Sequence, residues 1–182
     1  MEIICFGDSI TRGYDVPYGR GWVEICDASI EGVKFTNYGV DGCSVQAMIY
    51  NIENWALTAV DDPTRHILLM CGTNDILQGR DSAYVFKTLV KAIELASTKG
   101  QVIIGLETQI DSDMDGLDLV VREVNEQLKA YAEAHDIKVI DFYTTLFEAD
   151  QIGQIVFAGE VHPNELGYRL MAYKALEVFT RL

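Results

Sequence analysis

The sequence has no long apolar run and an unusually small share of positive charge. None of its apolar stretches approaches the roughly 20 residues that a membrane-spanning helix needs, and no basic and apolar signal segment precedes the first of them. Against 28 Asp and Glu there are 14 Lys and Arg, and the formal net charge of −14 repels phosphate backbones and anionic lipids. We therefore expect a cytoplasmic protein that binds no nucleic acid and does not insert into membranes.

Proline and paired cysteines are also scarce. Three prolines in 182 residues, with 49% hydrophobic and 23% charged residues, exclude the disordered and fibrous classes. The four cysteines form no CxxC pair and lie in segments predicted to be buried: Cys5, Cys26, Cys43 and Cys71. We expect reduced core thiols, with neither a disulfide framework nor a metal site.

Short apolar runs alternate with segments of helical periodicity along the whole chain. Five of these runs are predicted strands: residues 2–6, 33–38, 66–71, 101–106 and 137–140. Unbroken apolar strands that alternate with helices are typical of a parallel sheet covered on both faces. The sequence therefore predicts an α/β fold, and the absence of any linker or repeat predicts one domain over residues 1–182.

Polar, glycine-bearing segments follow the first three predicted strands. These are residues 7–11, 37–42 and 72–75, and a fourth polar segment, 159–164, precedes the last predicted helix, for which Asn164 is the expected N-cap. Ligand sites in such sheets lie beyond the carboxyl ends of the strands. We therefore expect the functional residues in these segments.

The four segments contain the groups that acyl transfer requires. Ser9 is the candidate nucleophile, and His162 is the candidate base because an ordinary histidine is mostly neutral at pH 7. Three donors could stabilise the carbonyl oxygen as it becomes negative: the N–H of Ser9, the N–H of Gly42 and the side-chain amide of Asn74. Together they predict a serine nucleophile with an oxyanion hole.

Three of these residues also have a purely structural explanation. Ser9 could cap the helix after the first strand, Asn74 could be a turn residue, and His162 could be a surface residue before a proline. The occurrence of all of them at strand ends favours the catalytic interpretation. Tyr14 and Tyr18 follow the nucleophile and could line an acyl or alcohol pocket.

The four segments resemble the four sequence blocks of the SGNH hydrolase superfamily, also called GDSL esterases and lipases. Ser9, Gly42, Asn74 and His162 match the family's serine, glycine, asparagine and histidine in order, and Ile10 replaces the leucine of GDSL. The resemblance implies a flavodoxin-like three-layer fold with a five-stranded parallel sheet. It also implies no cofactor, and hydrolysis of esters or thioesters through a serine acyl-enzyme.

One position departs from the family pattern. The family usually has an aspartate three residues before the histidine, where it orients the ring, and this chain has Gly159 there. Glu160 follows it and is the candidate carboxylate. Three alternatives stay open: Glu160 reaches the ring of His162, a backbone carbonyl holds the ring, or the enzyme is impaired.

An acidic segment offers a competing metal-binding interpretation. Residues 111–116 match the start of an EF-hand calcium loop, with carboxylates at positions one, three and five and glycine at six. The twelfth position, which needs a glutamate, holds Arg122, and the preceding segment is a predicted strand. We favour an acidic loop that begins the next helix, with no metal.

These observations predict a serine hydrolase that cleaves carboxylic esters of short acyl groups, with a small-molecule ester as its partner. The alternatives are a catalytically impaired binding module on the same scaffold, or a thioesterase or lysophospholipase of the same family. The net charge disfavours anionic substrates such as acyl-CoA or phospholipid. The sequence leaves open whether the chain forms a homo-oligomer.

Overall fold

The computed structural model describes residues 1–60, 62, 64–110 and 116–182. The strands of these residues form a single five-stranded sheet in the order β2-β1-β3-β4-β5. The strands are β1 (Glu2–Gly7), β2 (Lys34–Gly39), β3 (His66–Met70), β4 (Gln101–Gly105) and β5 (Lys138–Ile140). All neighbouring strands are parallel. The five predicted strands are confirmed, each to within one residue at either end.

Eight helices are formed by the described residues. They are α1 (Ser9–Arg12), α2 (Trp22–Asp27), α3 (Val45–Ala56), α4 (Thr73–Leu77), α5 (Ser82–Ser97), α6 (Leu117–Ala134), α7 (Phe142–Gln151) and α8 (Glu165–Phe179). Of the three longest helices, α5 lies between β3 and β4, α6 lies between β4 and β5, and α8 follows β5. This order agrees with the predicted alternation of strands and helices.

The sheet lies between two layers of helices because successive side chains along each strand point to opposite faces. Ile4 and Phe6 of β1 pack with α3, α5 and α6 in one core. Ile3 and Cys5 pack with α2, α7 and α8 in a second core on the other face. The predicted α/β fold with a parallel sheet is confirmed.

The helix caps test two sequence predictions, one for Asn164 and one for Ser9. Asn164 caps α8, where its Oδ1 accepts hydrogen bonds from the N–H groups of Leu166 and Gly167. The cap of α1 is Asp8, whose Oδ1 accepts from the N–H of Ile10 at 2.9 Å. The explanation of Ser9 as a helix cap is therefore wrong, and its hydroxyl is free for another role.

The calcium-loop interpretation falls mainly on residues 111–115, which lie outside the described residues. At its twelfth position Arg122 forms an ion pair with Asp118, one turn earlier in α6. Within the described part of the chain, no group of three or more His, Cys, Asp or Glu could hold a metal ion.

The burial of the cysteines agrees with the sequence prediction. All four cysteines are free and buried. No helix among the described residues has the length and apolar character needed to cross a membrane.

Replacement of Gly7 by alanine should destabilise the fold. A Cβ at Gly7 would overlap the hydroxyl of Thr11 and the backbone oxygen of Met70, and the backbone has little freedom to move. We expect Gly7→Ala to lower the free energy of unfolding by about 1–3 kcal/mol, as for other overpacked cores. Gly159→Ala is the matched control, because a Cβ there meets no atom within 4 Å. Equal urea midpoints for the two variants would contradict this account.

Candidate active site

Ser9 and His162 meet at the carboxyl end of the sheet. Ser9 is the first residue of α1, separated from the end of β1 by Asp8 alone, and His162 lies 153 residues later in the segment before α8. The Ser9 Oγ and His162 Nε2 atoms are 2.9 Å apart, which suits donation from the hydroxyl to an unprotonated ring nitrogen. The structure therefore brings the predicted nucleophile and base into contact.

Asp8 fixes the start of α1 beneath the serine. Its side chain is fully buried, and its Oδ1 accepts from the N–H of Ile10, so this capping bond uses the N–H of Ile10 and not that of Ser9. Burial raises the pKa of Asp8 to about 7, an effect that its bonds to the backbone N–H groups of Ile10 and Thr11 only partly oppose. Asp8 therefore stabilises the loop by its hydrogen bond to the neighbouring backbone.

Gly42 lies in a tight turn beside β1. The turn is closed by the hydrogen bond from the N–H of Cys43 to the carbonyl of Val40, and the N–H of Val40 donates to the carbonyl of Gly7. Gly42 has φ +69°, in the left-handed region that favours glycine, and a Cβ there would meet no atom within 4 Å. The surroundings of Gly42 are therefore open enough for a substrate to approach its backbone.

Asn74 is the second residue of α4, and its side chain contacts the Gly42 turn. Its Nδ2 donates to the carbonyl of Cys43 at 3.1 Å, which leaves the second hydrogen of the amide for another acceptor. Next to it, the carboxylate of Asp75 accepts from the N–H of Val45 at 2.8 Å. These two bonds tie α4 to the turn that contains Gly42.

The ring of His162 is covered on one side by Tyr14. The two ring centroids are 4.5 Å apart, and the backbone carbonyl of Tyr14 accepts a hydrogen bond from the hydroxyl of Tyr168. Burial lowers the pKa of His162, while the negative charges of Asp15 and Asp41 act in the opposite direction. The net result favours the neutral ring that a general base needs.

Glu160 is not brought to His162. Its side chain is exposed, and within the described residues no hydrogen bond or ion pair joins it to the histidine, because it projects from the loop into solvent. Among the described residues, no backbone carbonyl accepts a hydrogen bond from the ring of His162 either. At Gly159 a Cβ would meet no atom within 4 Å, so the position has room for a side chain.

Several residues near the site gave no clear signal in the sequence. Asp15 is distinguished in the structure by its left-handed backbone, with φ +67°. The only sequence feature that distinguishes Asp41 is its position next to Gly42. Glu107 joins the site through a contact with Thr73 that spans 34 residues. Tyr18, a candidate for lining an acyl or alcohol pocket, is 99% exposed and borders a cavity of about 480 Å³ beside β2.

The match to a family model accounts for this combination of fold and residues. The chain belongs to the GDSL-like lipase/acylhydrolase family, whose model matches residues 5–170. The resemblance that the sequence motifs indicate is therefore confirmed.

Solved structures place the chain among related proteins. It is 92% identical to a member of the lipolytic G-D-S-L family from Veillonella parvula, with a TM-score of 0.99 and complete coverage of both chains. A lipase/acylhydrolase from Enterococcus faecalis has 25% identity and a TM-score of 0.80, over 100% of this chain and 96% of that one. An acetyl-xylooligosaccharide esterase from Geobacillus shares the fold at 17% identity, with a TM-score of 0.81 over 97% and 92% of the two chains. No curated protein matches the chain by sequence.

Replacement of Asn74 by alanine should lower turnover more than substrate binding. An oxyanion donor acts mainly on the transition state, so we expect kcat to fall by about 10² to 10³ with KM little changed. Steady-state kinetics on an activated ester measure both constants. A loss mainly in KM would show that Asn74 positions the substrate, and a much lower melting temperature would show that its main role is structural, through its bond to the Gly42 turn.

The pH dependence of kcat/KM should identify the carboxylates that act on His162. Burial lowers the pKa of His162, so activity should be lost on the acidic side with a midpoint below about 6.5, the ordinary histidine value. Asp15→Asn and Asp41→Asn each remove a charge that raises this pKa and should move the midpoint lower still. Glu160→Gln is the matched control and should leave it in place. A tenfold loss of kcat in Glu160→Gln would instead support the role predicted for Glu160 from the sequence.

Proposed function

We propose that this protein is a serine esterase that hydrolyses carboxylic esters of short acyl groups through an acyl-enzyme. The observation that carries the proposal is the contact of 2.9 Å between Ser9 Oγ and His162 Nε2. The proposal assigns the oxyanion donors to the Gly42 turn and to the amide of Asn74, which are joined by the hydrogen bond from Asn74 Nδ2 to the carbonyl of Cys43. Membership of the GDSL-like lipase/acylhydrolase family supports the same reaction class.

In the acylation step, Ser9 Oγ attacks the carbonyl carbon of the ester while its proton passes to His162 Nε2. The carbonyl oxygen becomes negative and accepts hydrogen bonds from the N–H of Ser9, the N–H of Gly42 and the Asn74 amide. The bond to the alcohol oxygen then breaks, and the imidazolium of His162 gives its proton to the leaving alcohol. The acyl group remains as an ester on Ser9.

Deacylation uses the same groups with water in place of the alcohol. His162 takes a proton from water, and the hydroxide that forms attacks the acyl carbon in the same oxyanion hole. Collapse of this intermediate releases the carboxylic acid and returns the proton from His162 to Ser9 Oγ. The cycle requires a histidine that is neutral at the start of each step, and burial of His162 favours that state.

Exposed carboxylates stabilise the imidazolium in this scheme. Asp15 and Asp41 both favour the charged form of His162. Each carboxylate is exposed to solvent, and Asp41 also forms an ion pair with Arg12. We therefore expect a weaker stabilisation than a buried, hydrogen-bonded aspartate provides, and a correspondingly modest turnover.

The surroundings of the pair favour a small, uncharged substrate. The aromatic ring that covers His162 belongs to Tyr14, which is itself 37% exposed, so the histidine lies close to solvent. Asp15 and Asp41 repel anions, and Arg12 is already paired with Asp41. Acyl-CoA and lysophospholipid are therefore poorer candidates than a neutral ester.

A fluorophosphonate probe tests the proposed nucleophile. The phosphorus should form a bond to Ser9 Oγ with loss of fluoride, because the probe reacts with serines that a base activates. Labelling should disappear in Ser9→Ala and fall strongly in His162→Ala. A folded parent protein that remains unlabelled, or label at another residue, would favour the impaired binding module over the esterase.

The specificity constant should fall as the acyl group lengthens. A site close to solvent gains little from a long chain, whereas a lipase tunnel gains from each methylene that it buries. We expect kcat/KM to decrease from acetyl to butyryl to decanoyl nitrophenyl esters, measured below their micelle concentrations. An increase toward decanoyl would contradict the proposed short-acyl preference.

A further inference from the structure

The helix that carries Asn74 begins without a cap of its own. Its N-cap position is Gly72, which has φ +149° and no side chain to accept from the first N–H groups. Helix α4 has only five residues, so few hydrogen bonds within it hold Asn74 in place. The orientation of the Asn74 amide must therefore depend on contacts from outside the helix.

Glu107 supplies one such contact at the head of α4. It follows β4 and is 1% exposed, and its Oε2 accepts a hydrogen bond from the hydroxyl of Thr73, the residue before Asn74. The Cγ of Glu107 also lies 3.9 Å from the position of a Cβ on Gly72. The glutamate thus occupies the place that a capping side chain would take.

The main chain of Glu107 is itself hydrogen-bonded to a helix that packs against the sheet. Asn125 of α6 accepts from the N–H of Glu107 at 3.1 Å and donates to its carbonyl at 2.9 Å. Asn125 is buried, so these bonds are shielded from water. A continuous set of bonds therefore runs from α6 through Glu107 to Thr73 and the start of α4.

We infer that Glu107 is a positioning residue for the oxyanion hole, acting on Asn74 through Thr73. It holds the head of α4 so that the free hydrogen of the Asn74 amide faces the carbonyl oxygen of the substrate. Glu107 touches neither the substrate nor Ser9 in this scheme. The inference rests on the proposed esterase function, but it also makes a claim about side-chain orientation that needs no turnover.

The accepting oxygen, more than the negative charge, gives Glu107 this role. Burial raises the pKa of Glu107, and the negative charges of Asp8 and Asp75 raise it further. The hydroxyl of Thr73 needs only an acceptor at Oε2. Glutamine should therefore replace Glu107 with little loss, whereas methionine, of similar length without an oxygen, should not.

Kinetics of these two variants test the inference. We expect Glu107→Met to lower kcat by about tenfold or more with KM little changed, since a misplaced donor weakens only the transition state. The inhibition constant of a trifluoromethyl ketone, whose adduct with serine carries an oxyanion, should rise by a similar factor. Glu107→Gln should keep both values within about threefold of the parent protein.

A double-mutant cycle separates positioning from general stability. If Glu107 acts through Asn74, Glu107→Met should cause little further loss of kcat in an Asn74→Ala background. Thr88→Val removes a partly buried hydroxyl bond within α5 and is the stability control, which should lower the melting temperature and leave kcat unchanged. Full additivity of the two losses would overturn the inference.

The side-chain amide of Asn74 reports its own orientation by NMR. Its two hydrogens should shift or exchange faster in Glu107→Met and stay unchanged in Glu107→Gln. This NMR result can be measured even if the fluorophosphonate probe does not label Ser9 and the protein cleaves no ester. Unchanged Asn74 signals in folded Glu107→Met would overturn the inference without any bearing on the proposed function.

Discussion

The parallel register of the three central strands is the constraint on which the active site depends. Gly7 at the end of β1 pairs with Gly39 of β2 on one side and with Met70 of β3 on the other. The loops after these strands therefore begin at the same level of the sheet and converge above it. A slip of one residue in either pairing would turn the side chains of that strand to the opposite face and separate the predicted oxyanion donors from Ser9.

Buried carboxyl groups fix these loops from below. Each accepts from a donor that belongs to a segment of the site: Asp8 from the N–H of Ile10, Asp75 from the N–H of Val45, and Glu107 from the hydroxyl of Thr73. Removing three acids from water is costly, and burial raises the pKa of each. The donor bonds offset part of that cost and order the backbone of the segments that carry the candidate site residues.

Most of the fold could be predicted from the sequence because its signals are local. The unbroken apolar runs define the strands, and the side-chain alternation along β1 defines which residues face each helix layer. The contact between Ser9 and His162 could be anticipated only by combining the rule that sites lie beyond strand ends with a family resemblance. Neither argument depends on the details of any loop.

The supporting residues could not be predicted because they act through long-range contacts or irregular backbone. Nothing in the spacing of Thr73 and Glu107 indicates that they touch, since the contact requires β3 and β4 to be adjacent. Glu160 was the nearest carboxylate to His162 in sequence, yet an irregular loop has no fixed period, and its side chain points to solvent. Asp15 owes its position to a left-handed backbone that the residue type only weakly suggests.

Rapid-quench mass spectrometry with nitrophenyl acetate tests the central claim that Ser9 and His162 carry out acyl transfer. The account predicts one acetyl group per chain, bound to Ser9, at times shorter than a turnover. It should be absent in Ser9→Ala and should form slowly in His162→Ala. Hydrolysis that continues at the parent rate in Ser9→Ala, or acetyl bound to another residue during turnover, would contradict the account.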